Sequence, residues 1–71
     1  MRTKKEEPLY VLILFDNDKN KSMELCRNTS YLKVEGLFDA LLAYCKPNCN
    51  ITIFEMPVNC NVCRVVKKAL T

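Results

Sequence analysis

The first half of the chain contains two patterns of apolar and polar positions. Residues 9–15 are a continuous run of apolar, mostly β-favouring side chains, which predicts a strand buried on both faces. Turn-forming polar residues follow over 16–22, and residues 23–27 then alternate between apolar and polar side chains. This order predicts a β-hairpin whose second strand is antiparallel to the first and has one face in water.

The spacing of apolar residues changes after Asn28-Thr29-Ser30, a segment that offers N-cap side chains for a helix. The next apolar residues recur at i, i+3, i+4, i+7, i+8 and i+11, namely Val34, Leu37, Phe38, Leu41, Leu42 and Cys45. This spacing predicts a helix from Tyr31 to Tyr44. Lys46-Pro47-Asn48 ends it, because proline cannot continue a helix.

A third strand is predicted over 50–56, where the side chains are again apolar and β-favouring. After Pro57 and Asn59, a second helical face is formed by Val62, Val65, Val66, Ala69 and Leu70, with Arg64, Lys67 and Lys68 opposite. We therefore expect an α+β fold in the order β-hairpin, helix, strand, helix. Residues 8–71 would form one small domain after a flexible tail at 1–7, with two helices covering a three-stranded sheet in which the strand at 50–56 lies beside that at 9–15.

Composition and charge narrow the classes of function. The formal net charge is +3, and the basic residues are scattered along the chain rather than gathered with aromatics, so no nucleic-acid partner is expected. The N-terminal residues are charged, and the apolar run after them is far shorter than the roughly 20 residues of a membrane span. These features predict a cytoplasmic protein that does not associate with membranes.

Five cysteines are many for 71 residues, and two of them, Cys60 and Cys63, form a C-x-x-C pair. The pair lies between the third predicted strand and the second predicted helix. A helix N-terminus carries partial positive charge and stabilises a thiolate, which is the reactive form of cysteine. Arg64 and Lys67 would add positive charge nearby. The odd cysteine count and the absence of a secretory signal argue against a disulfide framework, so the pattern favours redox or metal chemistry.

The segment from Ile51 to Leu70 resembles the active-site strand–turn–helix of the thioredoxin superfamily, particularly the glutaredoxins. The hairpin and first helix look like the closing unit of that fold, so the order is permuted and the βα unit normally between the two parts is missing. The family's cis-proline would fall at Pro8, and Pro57 is the other proline flanking a strand. The glutathione-binding residues of glutaredoxins have no clear match.

The resemblance implies a small thiol–disulfide oxidoreductase that acts on a protein or small-thiol disulfide. Cys60 would be the attacking thiolate and Cys63 the resolving thiol, with Pro8, Pro57, Arg64 and Lys67 in support. No cofactor would be needed beyond the redox-active disulfide of the protein itself.

Zinc is the alternative reading of the cysteines, with Cys45, Cys49, Cys60 and Cys63 as four thiolate ligands. An extended strand between the two pairs would hold them roughly 20 Å apart. Zinc requires every sulfur within about 2.3 Å of the ion, so the predicted strand disfavours this site. Cys45 lies on the apolar face of the predicted helix and Cys26 on a strand, and both are expected to pack as small apolar side chains.

A second class of function also fits the sequence: a non-enzymatic protein-interaction module, such as a small adaptor or inhibitor of viral or mobile-element type, with structural cysteines. So small a sheet leaves an edge or a face exposed, and a homodimer is one way to cover it.

Overall fold

The structure is a computed structural model that describes residues 7–57 and 62–71. Five elements are present in it: β1 (Leu9–Asp16), β2 (Lys21–Asn28), α1 (Tyr31–Tyr44), β3 (Cys49–Met56) and β4 (Arg64–Leu70). The strands form one sheet in the order β2-β1-β3-β4, and every neighbouring pair is antiparallel. The helix packs on one face of this sheet.

The elements predicted for the first 56 residues are confirmed. The hairpin forms with β2 antiparallel to β1, the helix has the predicted bounds, and β3 pairs with β1. The hairpin turn is held by the carboxylate of Asp16, which accepts hydrogen bonds from the backbone N–H groups of Asp18 and Lys19 at 3.0 and 3.3 Å. Asn20 follows with φ of 56°, a backbone conformation that asparagine tolerates better than most residues.

The prediction of a second helix is wrong, and with it the prediction of a three-stranded sheet covered by two helices. Residues 64–70 form β4, which pairs with β3. Partners in the register run from Ile53 with Lys67 directly to Phe54 with Val65, so Val66 is an extra residue in a β-bulge. The bulge interrupts the two-residue alternation of a strand, and the resulting apolar spacing imitates a helical face. One edge of β3 would have no paired strand without residues 64–70, and the β-branched valines of this segment favour a strand that pairs with that edge.

The core lies between α1 and the sheet. Leu12, Ile51 and Ile53 point from the two central strands towards Val34 and Phe38 of the helix, and all five side chains are buried. Partly buried side chains complete this layer, among them Tyr10, Leu14, Cys26, Tyr31, Leu41, Cys45 and Ala69. A chain of this size has room for only this one small core.

The opposite face of the sheet, here called the open face, is apolar too. Side chains alternate between the faces of a strand, so the open face receives the residues between those of the core. Its apolar residues are Leu9, Val11, Ile13 and Phe15 of β1, Phe54 and Met56 of β3, and Val65 and Leu70 of β4, and its polar residues include Asn50 and Thr52 of β3. Among residues 7–57 and 62–71, no helix or strand packs on this face. No described element therefore covers β1 on this face, although Val11 is buried there and Leu9, Ile13 and Phe15 are half-buried.

The two ends of the sheet differ. At one end, Thr71 joins the strand end to the α1–β3 connection: its hydroxyl donates to the carbonyl of Lys46 at 2.8 Å and accepts from the N–H of Cys49 at 3.1 Å. The amide of Asn48, a residue with φ of 70°, donates to the carboxylate of Asp18 at 2.6 Å and so attaches the hairpin turn to the same connection. The other end carries the segments around Pro8 and Pro57.

Both outer strands contain a bulge. In β2, the register passes from Leu12 with Cys26 to Ile13 with Glu24, so Leu25 has no partner in β1. In β4 the extra residue is Val66. The bulges bend the outer strands and shift the phase of their side chains relative to the central pair.

Candidate functional site

The described part of the predicted redox site lies at one end of the sheet. Cys63 is an exposed, free cysteine immediately before β4. Leu9 is paired with Met56, and Glu55 with Arg64, so Pro8, Pro57 and Cys63 gather at the same end. The peptide bond before each of these prolines is trans. Cys60, the other cysteine of the pair, lies outside the described residues.

The electrostatic setting of Cys63 differs from the predicted one. The residues after it form a strand, so the predicted helix, whose N-terminus would have stabilised a thiolate, does not follow Cys63. Arg64 forms an ion pair with Glu55 of β3. Lys67 points to the helix side of the sheet, where its Nζ lies 2.9 Å from the carboxylate of Glu35. Both cations expected to favour a thiolate are therefore neutralised by carboxylates.

Two other cysteines of the predicted zinc alternative, Cys45 and Cys49, lie at the far end of the sheet from Cys63. Cys49 starts β3 and is fully buried, while Cys45 follows α1 and is half-buried against the core. Glu55, the partner of Arg64, lies six steps along the extended strand from Cys49, which corresponds to about 20 Å. Within the described ranges, no three His, Cys, Asp or Glu side chains are placed to hold a metal ion.

The thiol of Cys49 is held in its protonated form. Burial, above all, raises its pKa from the ordinary value, and the neighbouring thiol of Cys45 adds to this effect. A protonated buried thiol is a poor nucleophile and a poor metal ligand. The predicted packing role of Cys45 is confirmed, and the same holds for Cys26, which lies half-buried against the helix side of the core.

The open face contains two shallow grooves, of about 510 and 310 Å³. The larger lies between β3 and β4, where Thr52 and Phe54 stand beside Val65 and Lys68. The smaller crosses the middle of the face, and its walls are formed by Val11, Ile13, Glu24, Arg27, Phe54, Met56 and Cys63. Cys63 therefore borders the open face.

Charged groups occur only at the rims of the open face, as far as the structure describes it. On β2, the guanidinium of Arg27 donates two hydrogen bonds to the carboxylate of Glu24, at 2.6 and 2.7 Å. This contact lowers the pKa of Glu24 and raises that of Arg27, so both remain charged over a wide pH range. On β4, at the opposite rim, Lys68 is exposed. The open face therefore has an apolar centre, an ion pair at its β2 rim and a cation at its β4 rim.

The sequence predicted that an edge or a face of the sheet would be exposed, but it did not identify the open face, because residues 64–70 were assigned to a covering helix. The signal was nevertheless present: residues 9–15 are apolar at both odd and even positions, which requires a cover on both sides. The one helix among residues 7–57 and 62–71 covers only one side. The uncovered apolar side is the feature that a function must account for.

In the part of the chain that the structure describes, no helix is both long and apolar enough to cross a membrane. Comparisons of the chain with protein-family models, with curated proteins and with solved structures gave no match.

Proposed function

We propose that this protein is a protein-interaction module whose open face binds an apolar surface of a partner protein. The observation that carries the proposal is the absence of any described element over a sheet face that presents apolar side chains from three strands. Contiguous apolar patches of this kind are typical of sites where another molecule binds. In this reading the buried and half-buried cysteines are structural.

The chemistry of the partner follows from the composition of the face. Its centre, around Val11, Ile13 and Phe54, is apolar, and its guanidinium, Arg27, is already engaged by Glu24. A nucleic acid would be bound by several cations with free donors, and the described face offers Lys68 alone in that role. An apolar protein surface with polar groups at its border matches this distribution better.

Selection of binders from random peptides displayed on phage tests the proposal. The purified chain should enrich peptides rich in apolar residues. Thr52→Arg places a charge at the centre of the open face and should abolish their binding, whereas Lys33→Glu, on the exposed surface of α1, should leave it intact. Far-UV circular dichroism establishes that both variants fold. Failure to enrich peptides at concentrations where the chain is monomeric, or binding unaffected by Thr52→Arg, would contradict the proposal.

A second candidate is the thiol–disulfide oxidoreductase predicted from Cys60 and Cys63. The observation in its favour is the exposure of Cys63 beside the smaller groove, where a disulfide substrate can reach its sulfur. The thiolate of Cys60 would attack the substrate disulfide and release one substrate sulfur as a thiol. Cys63 would then displace the second sulfur, leaving a Cys60–Cys63 disulfide that a small thiol reduces again.

Two variants distinguish this candidate from a structural role of the pair. Cys60→Ser should abolish reduction of a model disulfide in the presence of a small thiol, and Cys63→Ser should accumulate a mixed disulfide detectable by mass spectrometry. Cys26→Ser is the matched control because Cys26 packs against the core away from this end. Equal rates in the wild type and all three variants would exclude the oxidoreductase.

A further inference from the structure

We infer that the partner of the open face is a second copy of this chain, packed sheet against sheet about a two-fold axis parallel to the strands. This inference rests on the proposed function, because it names the occupant of the same face. Three features support it: a row of residues across the sheet, the symmetry that this row permits, and the apolar centre that the same symmetry brings together.

The row crosses all four strands. Glu24 of β2 is paired with Ile13 of β1, which is paired in turn with Thr52 of β3, and Thr52 is paired with Lys68 of β4. All four side chains lie on the open face, as their positions along the grooves show. An acidic and a basic residue thus stand at opposite rims of the face, at the same height along the strands.

Rotation about a two-fold axis parallel to the strands places this row over the same row of the second copy, in the reverse order. β2 of each copy then lies over β4 of the other, and each Glu24 faces the second copy's Lys68. One ion pair becomes two by symmetry, as in any interface that uses the same patch on both subunits. The carboxylate of Glu24 has enough acceptor sites to keep its hydrogen bonds to Arg27 as well.

The same axis brings the apolar centres together. β1 lies over β3 of the second copy, so Val11 faces the second copy's Phe54, and Leu9 faces its Met56. Sheets that pack face to face keep their strands within about 30° of each other and interdigitate their side chains at a separation of about 10 Å. The result is a dimer with four layers in the order helix, sheet, sheet, helix. Apolar side chains fill each of the three interfaces between these layers.

Sedimentation equilibrium over a range of concentrations, with a reducing agent to prevent disulfide-linked dimers, tests the inference. The wild type should form a reversible dimer, which Thr52→Arg should convert to a monomer and Lys33→Glu should leave unchanged. Glu24→Lys and Lys68→Glu should each weaken the dimer at least about tenfold, because like charges then meet twice. The double variant restores opposite charges and should recover most of the affinity.

The outcomes separate the inference from the proposed function. If the wild type remains monomeric while the selected peptides still bind and Thr52→Arg still abolishes their binding, a second copy is not the partner and the interaction function stands. If the wild type neither dimerises nor binds peptides, both fail. If the double variant does not recover the affinity that the single variants lose, the two-fold axis is not parallel to the strands. An axis across the strands would give this result, because Lys68 would then have no acidic residue opposite it.

Discussion

The ammonium group of Lys67 lies 2.9 Å from the carboxylate of Glu35, and this contact joins the outer strand β4 to the helix. The same ammonium stands 4.9 Å from the centroid of the Phe38 ring, within the range of a cation–π interaction. Lys67→Met should therefore lower the midpoint of urea unfolding. Lys33→Met, on the exposed helix surface, is the control and should leave the midpoint unchanged. Equal midpoints for the two variants would show that the contact does not stabilise β4.

The same ion pair predicts part of the response to acid. Lys67, above all, lowers the pKa of Glu35 below its ordinary value of 4.5. A carboxylate with a lowered pKa in the folded state contributes stability above its unfolded pKa, and the contribution is lost as the pH falls through the folded pKa. Glu35→Gln should therefore lose less stability than the wild type between about pH 5 and pH 3. Urea unfolding at a series of pH values measures this, with Glu7→Gln, an exposed residue before β1, as the control.

Phe38 is the largest side chain of the core and is 1% exposed. Phe38→Ala should cost about 3–5 kcal/mol, because the ring leaves a cavity that the single helix cannot close. A domain of this length has a free energy of unfolding of roughly 4–11 kcal/mol, so this single substitution should remove a large share of the stability and lower the urea midpoint markedly. Leu32→Ala, at a side chain 76% exposed, should change the free energy by less than about 0.5 kcal/mol. Circular dichroism during urea titration measures both.

Asn48 combines a left-handed backbone with a side-chain bond to Asp18. Asn48→Val should destabilise the protein by about 1–2 kcal/mol through the backbone alone, because a β-branched residue is strained at this φ. Asn48→Gly keeps the backbone conformation and loses only the hydrogen bond, so it should cost less than valine. Thermal unfolding of the two variants in parallel gives the comparison. A glycine variant less stable than the valine variant would contradict this account of the position.

The described cysteines should react in an order set by burial. Cys63 is exposed, Cys26 and Cys45 are half-buried, and Cys49 is fully buried with a raised pKa. Iodoacetamide under native conditions should alkylate Cys63 first and Cys49 only when the protein unfolds, because the buried thiol is neither accessible nor ionised. Peptide mapping by mass spectrometry over a time course resolves each site. Early alkylation of Cys49 would contradict the packing around it.

β1, α1 and β3 were predictable because no register shift or helix break interrupts their patterns, and β2 was predictable, despite its bulge at Leu25, from the turn residues before it and the polar side chains within it. Residues 9–15 and 50–56 have the composition of strands, and Val34 and Phe38 lie on the predicted apolar face of a helix whose bounds are confirmed. β4 was not predictable from period alone, because the extra residue Val66 changes the phase in mid-strand. Residues 64–70 form a strand because they can pair with the edge of β3, and that edge exists only in the folded sheet.

The candidate site was less predictable than the fold for a related reason. The roles given to Arg64 and Lys67 depended on a helix, and in a strand these two side chains form ion pairs with Glu55 and Glu35 instead. The exposure of Cys63 was compatible with either secondary structure. Which face of the sheet lacks a cover depends on whether residues 64–70 form a helix or a strand, so the error in this seven-residue segment left the open face unidentified.

The extra residues Leu25 and Val66 have a consequence for behaviour at high concentration. Each lies on an outermost strand, where a straight row of amide and carbonyl groups would let further chains add one after another. The two β-bulges interrupt these rows of backbone hydrogen-bonding groups. We therefore expect concentrated solutions to remain free of fibrils and thioflavin-positive aggregates.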